Sequence, residues 1–164
     1  MQVIKRLSEQ EATTIKSEIN SLLHLLDLHY QPPYDFLNRD GALRDGKSIW
    51  IHGTDNPSRH IKYGDQIPTI ISNIQNFSGM FGRSYIYQLL PGEEIYPHQY
   101  LNPYLKSINR YHIYLDIQEG VSIEYSPMKI EPNTLITFDA TYMHSYKNFS
   151  DKPLQFVVFD IYKS

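Results

Sequence analysis

His98, within "EEIYPHQYLN" (residues 93–102), is the first residue whose type and position could do chemistry. It follows a turn and a short strand-like run, where a histidine can ligate a metal. Two-histidine, one-carboxylate sites use residues at i and i+2 of a strand, because those side chains share a face and can grip one ion. Here position i+2 holds Tyr100, so either the site is broken or it manages without the acid. Two further histidines occupy the same half of the chain: His112 in "NRYHIYL" and His144 in "FDATYMHSYKN". Arg110 has i, i+2 spacing to His112, and the pair faces one side of a strand. If that side is an interior, the arginine demands an anionic partner, either a bound carboxylate or an internal acid. A solvent-exposed face removes the demand. Three roles are open to Asp139 in the turn before His144: ligand, orienter of a histidine, or turn-capping carboxylate, the last being the ordinary one.

The chain has seven histidines, so most must be innocent. His24 and His29 lie in or near a leucine-rich helical stretch and read as packing or surface residues. His52 ends a strand and His60 lies in a polar loop, each without a partner nearby in sequence. With no cysteine there is no disulfide and no thiol nucleophile, and a metal site must be built from His, Asp, Glu or Tyr. A formal net charge of -3 and the lack of any Lys/Arg run argue against nucleic acid as a partner. The charged start "MQVIKRLSEQEATTIKSEIN" lacks the apolar stretch of a signal peptide, and no later run approaches the length that spans a bilayer. The expectation is a soluble, cytoplasmic protein without a membrane partner.

The elements that must position these residues divide the chain in two. At 164 residues one domain is expected over 1–164, with a helical N-terminal segment to about 80 and a β core over about 83–164. Ser8 and Glu11 have capping-box spacing, and Ile15, Ile19, Leu22, Leu23 and Leu26 recur at helical spacing, predicting a helix over 8–28. "YQPPYDFLNRDGALRDGKS" reads as a loop, "IWIHG" as a short strand, and "QIPTIISNIQNF" as a helix over 66–77 with Ile67, Ile70, Ile71 and Ile74 on one side. Beyond residue 83 the tyrosine-rich runs "RSYIYQLL", "IYPHQY", "INRYHIYLDI", "VSIEYS", "NTLITFDA" and "PLQFVVFDIY" read as strands separated by turn signals. A mainly β fold with flanking helices, a sandwich or barrel, follows.

In order, "YIYQLLPGEEIYPH", "NRYHIYLDI", "NTLITFDATYMHSYKN" and "FVVFDIY" resemble the successive blocks of the aspartyl/asparaginyl β-hydroxylase family of iron(II)- and 2-oxoglutarate-dependent oxygenases. The resemblance covers residues 83–162. It implies a double-stranded β-helix, a jelly-roll, cupin-like barrel with the helices outside. It also implies iron(II) held by His98 and His144 with no acid expected, and 2-oxoglutarate contacted by Arg110 and His112. Asp139 would fix the turn carrying His144. With O2, such a site hydroxylates an amino-acid side chain in a peptide, a protein or the free amino acid.

Three positions depart from the family pattern. The family has a small residue where this chain has Tyr100. Its last strand opens with an arginine that pairs with the far carboxylate of 2-oxoglutarate, and Leu154 stands here; Lys152 has the parity to supply a point charge instead, beside Gln155. The family's polar residue before the Pro-Gly turn falls on Tyr87, whose hydroxyl would donate in its place. Two other readings share the barrel: a catalytically degenerate binding or structural module, and a cupin-like metalloprotein that does not use 2-oxoglutarate.

Overall fold

A computed structural model describes residues 2–29, 45–53, 55–75 and 77–163. The first strand, β1 (Val3–Arg6), leads into helix α1 (Glu9–Ser21). Ser8 caps α1 by accepting from the Glu11 N–H at 3.1 Å. The Glu11 carboxylate is held below its usual range first by Lys5, at 2.7 Å, and also by the Ser8 backbone N–H, the reciprocal contact that the expected capping box requires. Packing holds the helix more than capping does. Ile15 and Ile19 are fully buried, and each such side chain contributes roughly 1.5–3 kcal/mol, against about 1 kcal/mol for an N-cap.

The predicted helix over 8–28 stops at Ser21. A short 3-10 turn, Leu23–Leu25, follows, and Asp27–Leu28 pairs as strand β2 with Ser48 and Lys47 of β3 (Lys47–His52). Strand pairing across the sheet thus overrides a locally favourable helical pattern. Most of the loop expected over 30–48 lies outside the described residues. The second helix, α2 (Pro68–Ile74), is shorter than the predicted 66–77 and starts with proline at its first turn.

Strands β4 (Phe81–Leu89), β5 (Glu94–His98), β6 (Ile108–Tyr114), β7 (Val121–Tyr125), β8 (Thr134–Thr137), β9 (His144–Asn148) and β10 (Leu154–Tyr162) complete the chain. A seven-stranded sheet has the order β1-β8-β6-β10-β4-β3-β2, and a three-stranded sheet the order β5-β9-β7. This is the double-stranded β-helix that the family resemblance implies, mainly β with helices outside. Strands β1 and β9 were not legible as strands: each is short, and "HSYKN" has neither an apolar run nor clear alternation.

Side-chain parity divides the larger sheet into two faces. Ile86, Ile113, Val157, Phe159 and Ile161 pack with Ile15, Ile19, Ile70 and Ile74 of the helices. On the opposite face Tyr85, Tyr87, Tyr114, Phe156 and Val158 meet Ile95 and Tyr146 of the smaller sheet. Covered on both sides, β10 reads as the nearly continuous apolar run "LQFVVFDIY" rather than an alternation. Among the described residues no helix is long and apolar enough to cross a membrane.

One buried acid joins the helices. The Glu18 carboxylate accepts from the N–H groups of Thr69 and Ile70 at the start of α2. Burial raises its pKa despite those donors. A folded-state pKa above the unfolded value stabilises most below about pH 4.5, and the benefit is lost as pH rises through the folded value. Glu18→Gln keeps an acceptor oxygen without the titration, so the stability of wild type relative to this variant should fall between pH 4 and pH 7 in urea unfolding. A difference that is flat or rises with pH contradicts this account. Glu18→Ala orphans the two donors and should cost about 1–3 kcal/mol.

Candidate active site

The smaller sheet brings His98 and His144 together. β5 and β9 run antiparallel, and the last residue of β5, His98, pairs with the first of β9, His144. Their ring centroids lie 4.2 Å apart, with planes 59° from parallel. Both residues are 4% exposed. Each ring is oriented by the carbonyl two residues before it: His98 Nδ1 lies 2.6 Å from the Tyr96 oxygen, and His144 Nδ1 lies 2.8 Å from the Tyr142 oxygen. A carbonyl only accepts, so Nδ1 carries the proton in both rings and the lone pair is on Nε2. Such a bond sets the tautomer of a metal-ligating histidine.

His98 and His144 line a narrow cavity of about 20 Å³ between the two sheets, together with Tyr87, Tyr100, Arg110, His112, Tyr146 and Phe156 among others. That is room for an ion or a water molecule, and a larger guest must turn side chains aside. His112 stacks on Phe138, with centroids 4.0 Å apart and planes within 7°. Its Nδ1 is 2.8 Å from the Tyr114 hydroxyl, which in turn lies 2.7 Å from that of Tyr146. Burial, then the Arg110 charge, then His144 hold His112 well below the usual imidazole range, so it is neutral. Burial and the neighbouring Tyr146 push Tyr114 well up, so this phenol keeps its proton.

Arg110 finds its anion inside the protein. Its Nε and one terminal nitrogen donate to the two Asp160 oxygens, each at 2.8 Å. Burial by itself would lower the Arg110 pKa, but the Asp160 charge and hydrogen bonds hold it well above the usual value. Of the alternatives open at the sequence level, the internal acid is therefore realised, while the second terminal nitrogen keeps its donors on a side chain that lines the cavity. Asp160 also accepts from the Tyr104 hydroxyl at 2.9 Å.

Two sequence expectations need correction. Lys152 does not point into the barrel. It is exposed in the loop before β10 and borders an outer groove with Lys16 and Asp116. Asn148 Nδ2 and Ser150 Oγ both donate to the Lys152 carbonyl, at 2.8 and 2.9 Å, which turns that loop outward before the strand's parity begins at the buried Leu154. Tyr87 does reach the cavity wall, but its hydroxyl proton goes to the Asp45 carbonyl, so it cannot also donate to a ligand. Gln155 is spent on Gln88, to whose side chain it donates at 2.8 Å.

Asp139 acts in the turn. Its Oδ1 accepts from the N–H and hydroxyl of Thr141, at 2.9 and 2.6 Å, three residues before His144. His24 and His60 are exposed, and His29 is buried in a stack on Trp50 at 5.2 Å. Sequence reasoning missed Tyr114, Tyr146 and Asp160. Parity is the signal that could have found the first two, which stand at i+2 from His112 and His144. Asp160 stands directly opposite Arg110 in the β10–β6 register, which no single strand reveals.

Among the described residues no cluster of three or more His, Cys, Asp or Glu could hold a metal, so a site here rests on the histidine pair and other donors. Two imidazoles oriented through Nδ1 suit iron(II) at Nε2, and the cavity admits an ion. Arg110 and His112 in the same cavity suit a carboxylate beside it. The residues therefore fit a metal ion, whereas a keto acid beside it requires side chains of this narrow cavity to turn aside.

Residues 9–164 match the family described as aspartyl/asparaginyl beta-hydroxylase. No curated protein is a significant match. Among solved structures, a prolyl hydroxylase from Trichoplax adhaerens, in complex with a peptide fragment of the hypoxia inducible factor oxygen degradation domain, is similar at a TM-score of 0.62 and 14% identity, covering 98% of this chain and 82% of that one. A Pseudomonas putida prolyl-4-hydroxylase gives a TM-score of 0.57 at 12% identity, with 96% and 89% covered. The viral collagen prolyl hydroxylase of Paramecium Bursaria Chlorella virus-1, solved as a 2OG complex, gives 0.53 at 14% identity, with 96% and 92% covered. At these identities the likeness speaks for the fold.

Proposed function

Because the chain belongs to the aspartyl/asparaginyl β-hydroxylase family, we propose that it is an iron(II)- and 2-oxoglutarate-dependent hydroxylase of an amino-acid side chain. The observation that carries this reading is the pair His98 and His144, opposed across two strands with both rings locked in the tautomer that leaves the lone pair on Nε2. These two residues would hold the iron. When bound, iron(II) with 2-oxoglutarate and O2 supplies the oxidation of a C–H bond to an alcohol, with succinate and CO2 as the other products.

The chain's own residues do the rest. The carbonyls of Tyr96 and Tyr142 keep the imidazoles from rotating, which preserves the donor geometry. Asp160 fixes Arg110 so that its remaining donors, with His112, meet the co-substrate's carboxylate. Aromatic walls such as Phe138 and Phe156 exclude water from the reacting centre. A peptide or protein substrate is supported by the peptide held by the Trichoplax enzyme, whose fold this chain shares.

Anaerobic titration with iron(II), then 2-oxoglutarate, tests this reading. It should give a weak visible charge-transfer band on addition of the keto acid. Absence of metal binding would assign the barrel to a degenerate binding or structural module. Metal binding without the band would assign it to a metalloprotein that does not use 2-oxoglutarate.

A further inference from the structure

Tyr100 stands where a strand continuing from His98 would place its next ligand, two residues on and on the same side. The Tyr100 N–H donates to the Ala140 carbonyl at 2.9 Å. A backbone hydrogen bond to the turn before β9 thus holds Tyr100 in place after β5, beside both histidines. The side chain is 4% exposed and lines the same cavity as the two imidazoles. Its ring centroid is 5.6 Å from that of His98 and 5.8 Å from that of His144, and its plane lies within 24° of the His144 ring. The Arg110 guanidinium carbon is 5.2 Å from the ring centroid. The guanidinium thus lies in cation–π contact with the ring and helps to fix its position.

We propose that Tyr100 supplies a third protein ligand, its phenolic oxygen taking the place of the carboxylate at i+2, so that iron is held by His98, Tyr100 and His144. This rests on the two-histidine reading and adds to it. Tyrosine oxygen is an established iron donor in other settings. On binding, the O–H bond of Tyr100 gives way to an oxygen–metal bond and the proton passes to solvent, with no electron transferred. Three protein ligands on one face leave open positions for a chelating keto acid and O2, as in the two-histidine, one-carboxylate sites. In those terms, a tyrosine in a family that has a small residue here is a substitution of ligand rather than an obstruction.

Loading the protein with Fe(III) alone tests the assignment without turnover. Wild type should develop an intense visible band from phenolate-to-iron charge transfer, with tyrosine ring modes enhanced in resonance Raman spectra. Tyr100→Phe should lose that band and bind iron at least about tenfold more weakly. Tyr100→Asp should bind iron without the band, showing that the site still assembles. Tyr146→Phe, which removes another phenol of the same cavity, should retain the band. Iron-loaded wild type without the band, or a band that survives Tyr100→Phe or vanishes in Tyr146→Phe, overturns the proposal and leaves the histidine pair standing. A wild type that binds no iron overturns both.

Discussion

Alanine at either His98 or His144 should abolish iron(II) binding and, with it, iron-dependent formation of succinate from 2-oxoglutarate. The size of the effect follows from the small number of donors. Changing the groups that merely orient a ligand costs roughly 10–100-fold in affinity, so removing one of two imidazoles should exceed that range. Each ring is buried, and its deletion opens a cavity costing about 2–5 kcal/mol. Near-ultraviolet circular dichroism must therefore accompany the binding measurement, and His98→Gln and His144→Gln, which keep most of the volume, serve as companions. Unchanged turnover in both alanine variants would sink the hydroxylase reading.

Breaking the Arg110–Asp160 pair should produce the largest loss of stability. The two side chains are 3% and 0% exposed, and removing one partner of such a pair strands the other charge in the interior, at about 3–5 kcal/mol. Arg110→Met and Asp160→Asn should each reach that range in urea unfolding. Asp160→Asn additionally weakens the acceptor of the Tyr104 hydroxyl, whose pKa burial and Asp160 hold high. Combining Arg110→Met with Asp160→Leu removes both charges, and much of the stability should return. The double variant should still bind iron but not 2-oxoglutarate, which separates the arginine's architectural role from its part in the site. Losses below about 1 kcal/mol in both single variants would show that water reaches the pair.

The residues that the structure gathers around one cavity were largely legible as a group. His98 and His144 were picked out by their places after strand and turn signals, and the Arg110–His112 parity was correct, since both line one cavity. Asp139 follows its local chemistry in capping the turn. Lys152 failed for a reason outside its own strand: parity was extended past Leu154 into a loop that Asn148 and Ser150 bend away. The end of α1 failed in the same manner, because the strand formed by Asp27 and Leu28 depends on β3, about twenty residues later in the chain.

The sequence by itself determined what each segment is and which way its side chains alternate, because propensity and two- or 3.6-residue periodicity are properties of neighbours along the chain. From those came a mainly β fold with flanking helices and the sharing of one face by Arg110 and His112; the barrel itself came from the family resemblance. The tertiary structure decided who meets whom. It set His98 against His144 across a sequence separation of 46 residues, Asp160 against Arg110, and Tyr100 beside both histidines. Such meetings depend on register between distant strands, where a shift by one residue reverses every side chain, and on burial, which makes an unpaired arginine too costly to leave without its acid.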